Sequence, residues 1–130
     1  MFVLDASVAF AACASEYGFE EFAGRELVAP PLMWSEARST IHELAWRGDI
    51  DRDDAERTVA RLETCPVARK APASLGRTAW KLADELGLAK TYDAEYLALA
   101  QILGWRVVTL DARLRRGADR TGLVLTPAEM

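Results

Sequence analysis

Asp5, Glu36, Asp93 and Asp111 are the residues of this chain whose type and placement could do chemistry. Asp5 closes the apolar run Phe2-Val3-Leu4 and Asp111 closes the run Trp105 to Leu110, so both carboxylates are expected at the ends of strands. In open parallel sheets, ligands bind outside the carboxyl ends of the strands. Asp93 opens the apolar stretch before the Trp105 strand, and Glu36 falls about one turn into the helix expected after a strand at Val28. Taken singly, each has a plain structural reading: a helix N-cap for Asp93 and a solvated charge for Glu36. Gathered on one rim they would repel, because two unit charges about 4 Å apart interact by roughly 4 kcal/mol at an effective dielectric of 20. A divalent cation removes that repulsion. Oxygen ligands without histidine or cysteine select Mg²⁺ or Mn²⁺ over zinc, and magnesium usually keeps several waters that are candidate nucleophiles. Such a centre lowers the pKa of bound water and orients a phosphodiester, which is chemistry suited to cutting nucleic acid.

Other residues are weighed against that picture. Ser7, two residues after Asp5, and Thr109, two before Asp111, are placed to orient a carboxylate; helix capping and β-propensity are their plain readings. Arg113, Arg115 and Arg116 follow Asp111, where a loop would carry them beside the site as nucleic-acid phosphate contacts or as a merely solvated basic loop. The net charge of −4 does not exclude a nucleic-acid partner, because these arginines concentrate in the last quarter. His42 does not share the helical face of Glu36, and Glu43 reads most simply as a helix pair with Arg47. Asp49, Asp51 and Asp53 alternate like the start of a calcium loop. Asp54 replaces the required glycine and Ala60 the closing glutamate, so helix capping is the better account. Tyr92 and Tyr96 are expected to pack near the groove, and the four tryptophans to serve mostly core or dimer packing.

The elements that must position these residues alternate strand and helix. Strands are expected at Phe2–Asp5, Glu26–Ala29, weakly at Cys65–Ala68, at Trp105–Leu110 and at Leu123–Leu125. Helices are expected over Ser7–Ala14, Glu16–Phe22, Met33–Arg47, from an Asp51 N-cap through Leu62, and over Ala73–Leu86 ending at Gly87. The stretch TYDAEYLALAQILG is apolar almost all round, which marks a buried helix. This alternation predicts an α/β fold with a central parallel sheet covered on both faces.

A length of 130 residues, 51% of them hydrophobic, fits one domain spanning residues 1–130. No segment approaches the roughly 20 consecutive apolar residues of a membrane span, and no signal-peptide pattern opens the chain, so a cytoplasmic protein without membrane contact is expected. Cys13 and Cys65 read as two buried thiols. A receiver-type signalling domain would want adjacent acids after the first strand and a lysine after a late one; Asp5 is followed by Ala6, and the late strand ends in Asp111. An Asp-x-Asp phosphotransferase is disfavoured in the same way, because DAS supplies one acid.

VLDASV at the start, P-P-x-x-W-S-E-A after the second strand, TYDAEYLALA and VVTLDARL together resemble a PIN-domain protein, most closely the VapC type of toxin ribonuclease. The likeness covers almost the whole chain, in the right order and spacing. It implies a three-layer α/β/α sandwich and a Mg²⁺- or Mn²⁺-dependent endoribonuclease with Asp5, Glu36, Asp93 and Asp111 as metal-binding acids and Ser7 and Thr109 in support. It further implies a homodimer, a VapB-type antitoxin whose tail occupies the groove, and a structured RNA substrate such as tRNA or rRNA. The alternative from another class is a catalytically idle PIN-like module that only binds RNA or protein; lost acids would be its mark, and all four are present.

Overall fold

The computed structural model describes residues 1–130. Its strands are β1 (Phe2–Leu4), β2 (Leu27–Ala29), β3 (Ala68–Arg69), β4 (Arg106–Val108) and β5 (Val124–Leu125). Its helices are α1 (Ala6–Ala14), α2 (Leu32–Trp46), α3 (Arg52–Glu63), α4 (Leu75–Leu86), α5 (Tyr92–Leu103) and α6 (Ala112–Ala118). All strand pairs are parallel, in the order β3-β2-β1-β4-β5. The chain moves from β1 to β2 and β3 in one direction, then returns across the sheet to β4 on the other side of β1. Right-handed crossovers therefore put α1, α2 and α3 on one face and α4 and α5 on the other. The contacts agree: α1, α2 and α3 pack on one another, while α4 packs on α5 and α5 lies on β1 and β4. The result is the three-layer α/β/α sandwich, and its strand order reverses between β1 and β4, where such sheets open a crevice.

Burial explains the central elements. Val3, Leu4, Val28, Val107 and Val108 are fully buried, as a sheet covered on both faces requires. In α5, Ala94, Leu97, Ala98, Leu99 and Ala100 are fully buried as well, so the helix that reads apolar all round is the one sealed against β1 and β4. Gly87 and Gly104 close α4 and α5 in the left-handed conformation that glycine adopts without strain. Asp51 caps α3 by accepting from the Asp54 N–H at 2.8 Å, so Asp51→Ala is expected to cost about 1 kcal/mol, read as a Tm lower by a few degrees in thermal denaturation.

Several boundaries differ from expectation. Strand β1 stops at Leu4, because Asp5 turns its side chain back to cap α1. The expected helix over Glu16–Phe22 contracts to a single 3₁₀ turn at Glu20–Phe22, with Gly18 at positive φ interrupting it. The weak third strand lies at Ala68–Arg69 rather than Cys65–Ala68, and the segment after Asp111 is helix α6 rather than a loop. Cys13 and Cys65 are both free, Cys13 buried. Trp34 is the core tryptophan, with the Arg69 guanidinium stacked 4.5 Å from its ring centroid, whereas Trp46 and Trp80 stand exposed. No helix is long and apolar enough to cross a membrane.

Candidate functional site

Asp5, Glu36, Asp93 and Asp111 all line one cleft of about 450 Å³ at the carboxyl ends of the central strands. They come from four places in the sequence: the β1–α1 turn, the first turns of α2, the start of α5 and the β4–α6 turn. Glu43 lines the cleft too, so it presents five carboxylates and no cationic side chain. None of the four predicted acids belongs to any of the protein's ion pairs.

Asp5 is the most firmly held. It is 4% exposed. Its Oδ1 accepts from the Ser7 hydroxyl at 2.6 Å and from the Val8 N–H at 3.1 Å, while Thr109 donates its hydroxyl to Oδ2. The two hydroxyls are tied in turn to the next turn of chain: Leu110 N–H donates to Ser7 at 3.0 Å and Asp111 N–H to Thr109 at 2.9 Å. Ser7 and Thr109 therefore couple the β1 and β4 termini, which goes beyond capping or β-propensity. Asp5 itself takes the N-cap position, and Asp111 caps α6 through the N–H groups of Arg113 and Leu114.

Burial is the first cause of the raised pKa of Asp5, Glu36 and Asp93. Neighbouring acids add to it: Asp111 raises both Asp5 and Asp93, and Asp93 and Asp5 raise Glu36. Hydrogen bonds oppose the shift at Asp5 and at Glu36, where Tyr96 donates its hydroxyl to Oε1 at 2.6 Å. Arg113 opposes it at Asp93. The cleft thus holds negative charge that it does not itself neutralise.

The donor set suits a hard divalent cation, being oxygen throughout with no histidine or cysteine. The carboxylates do not converge on one point, since no three of them stand in ready coordination geometry. Repulsion of roughly 4 kcal/mol per pair at about 4 Å opposes closer approach, and magnesium bound largely through its own waters does not require it.

The three arginines part company. Arg113 is exposed on α6 near Asp93, and Arg116 is exposed and free of ion pairs. Arg115 is instead clamped by both carboxylate oxygens of Glu129 in the C-terminal turn, which takes it out of the set free to meet phosphate. His42 lies in a different, apolar groove between α2 and α3.

Two contributors go unrecognised in the sequence. Tyr96 reads as packing, yet its hydroxyl holds Glu36; the signal was its place one turn after Asp93, on the same helix face. Glu43 does pair with Arg47, at 3.7 Å, but its position two turns after Glu36 also carries it into the cleft.

Comparison with known proteins agrees with this geometry. The PIN domain family matches residues 2–120. VapC ribonuclease Mb0985 of Mycobacterium bovis and ribonuclease VapC9 of Mycobacterium tuberculosis are each 33% identical over 115 residues, 88% of this chain and 88% of theirs. The crystal structure of PAE2754 from Pyrobaculum aerophilum superposes with a TM-score of 0.73 at 26% identity, covering 98% of this chain and 89% of that one. A toxin-antitoxin complex from Klebsiella pneumoniae shares the fold over the full length of both chains, with a TM-score of 0.68 at 16% identity. From the parallel sheet, the acids at its switch point and these likenesses together, the chain belongs to the PIN-domain family, in its VapC branch.

Proposed function

We propose that this VapC-type nuclease is a Mg²⁺- or Mn²⁺-dependent endoribonuclease, the toxin of a toxin-antitoxin pair, acting on structured RNA such as tRNA or rRNA. The observation that carries the reading is the cleft itself: five carboxylates, of which only Glu43 is ion-paired, at the point where a parallel sheet binds its ligands. The names of the Mycobacterium relatives support RNA as substrate.

Asp5, Glu36, Asp93 and Asp111 are the residues that would hold the cation. When bound, it supplies a lowered pKa for water and neutralisation of charge at the phosphodiester. The chain's own groups do the rest. Ser7 and Thr109 fix both oxygens of Asp5, and Tyr96 fixes one oxygen of Glu36, so the acids are oriented before substrate arrives. Arg113 and Arg116 meet the RNA backbone, positioning it without reading sequence. The 130 residues act as one domain, in the cytoplasm, as a homodimer. An antitoxin of the VapB type restrains the activity; a cationic side chain from such a partner would find the cleft a ready acceptor.

The test is cleavage of a labelled small-RNA pool by purified, partner-free protein in Mg²⁺ or Mn²⁺ against EDTA. Discrete fragments that require the cation are expected. Intact RNA in every condition would overturn the enzyme and leave a module that only binds.

A further inference from the structure

A second cleft, of about 340 Å³, adjoins the acidic one and shares a single residue with it, Asp93. Its character is opposite. Lys90 and Arg113 line it against the one carboxylate, and its accessible apolar surface comes from Leu88 and Ala89, with Leu97 and Leu114 buried beneath. Neither cation takes part in an ion pair, and Lys90 is exposed at the end of the α4–α5 connection. On a chain of net charge −4, a pocket with an excess positive charge beside one with five acids is a local reversal that an anion would follow.

We propose that this second cleft seats the nucleotide next to the scissile phosphate of the RNA. Lys90 and Arg113 take its phosphate, and the apolar surface of Leu88 and Ala89 takes the base. The inference rests on the nuclease reading and deepens it by naming a subsite. The cleft's volume lies within the range of small-molecule sites. Its chemistry, apolar below and cationic at the edge, matches a nucleotide with a flat apolar face and a charged backbone. Because Asp93 forms the wall between the clefts, a strand crossing it would pass from the seat directly into the acidic site.

Two variants separate the phosphate from the base. Lys90→Ala removes a cation at an exposed position. Gly117→Leu fills the seat: a Cβ at Gly117 would meet only the Leu88 side chain, at 3.9 Å, and a helix position favours leucine over glycine, so the fold is kept. A fluorescein-labelled single-stranded RNA of random sequence is titrated by anisotropy over a range of salt, in EDTA, with its integrity checked on a gel. Lys90→Ala is expected to reduce the slope of log affinity against log salt by about 0.7, one phosphate contact on a single strand. Gly117→Leu is expected to weaken binding about tenfold through lost apolar burial, with the slope unchanged. Either variant binding with wild-type affinity and slope overturns the subsite. Failure of the nuclease reading shows elsewhere, as uncut RNA in Mg²⁺.

Discussion

Asp5→Asn is expected to lower RNA cleavage in Mg²⁺ by more than about 100-fold, since even the side chains that merely support metal ligands are worth 10- to 100-fold. The same variant should be no less stable than wild type when no cation is bound. The sign follows from linkage. Burial raises the Asp5 pKa above its ordinary 3.8, so the folded state holds the proton more tightly than the unfolded chain. Stability from this group is fully present below pH 3.8 and is lost as pH rises through the higher folded-state value. Above that value ionising the buried carboxyl costs stability; an amide of the same shape removes that cost and keeps the acceptor for Ser7 and Val8, though its Nδ2 replaces the oxygen that accepts from Thr109. Thermal denaturation at pH 7.5 with and without Mg²⁺ checks both halves. Wild type should gain Tm from the cation and Asp5→Asn should not. A variant that cleaves normally, or that still gains Tm from Mg²⁺, would remove Asp5 from the centre.

Tyr96→Phe should weaken binding of Mn²⁺ by about 10- to 100-fold, the usual worth of a group that orients a metal-binding side chain. The hydroxyl is buried and donates to Glu36 Oε1, which fixes the carboxylate rotamer within the cleft. The ring stays in place in the variant, so packing is conserved. Electron paramagnetic resonance of Mn²⁺ reads affinity without reference to turnover. A double-mutant cycle with Glu36→Gln identifies the route: if Tyr96 acts through Glu36, the two losses are far from additive. Unchanged Mn²⁺ affinity in Tyr96→Phe would reduce this tyrosine to a core residue.

Much of this architecture is legible in the residues. Asp5, directly after the apolar run, marks the end of β1, because a charge cannot continue through a doubly covered sheet, whereas β4 stops at Val108, three residues before Asp111, which caps α6 instead. The all-round apolar α5 declares its own burial, and Asp51 and Gly87 announce a helix start and a helix stop by local backbone chemistry. These are short-range effects, decided within a turn or a strand, so the sequence alone determined the α/β alternation and the four carboxylates that its strand and helix ends present.

Tertiary structure decided the rest. Whether Glu36 is a solvated charge or part of a cleft depends on the Tyr96 hydroxyl, 60 positions away in the chain, and whether Arg115 is free depends on Glu129, 14 away. Thr109 meets Asp5 only because β4 pairs with β1 after the chain has crossed the whole sheet. Glu43 serves both Arg47 and the cleft, a double role that helical spacing alone leaves open. The physical reason is common to all four. Periodicity specifies which face of an element a side chain occupies, while the group opposite that face is set by how separate elements pack, and pairing energies between charged or hydrogen-bonding groups exist only once that packing has brought them together.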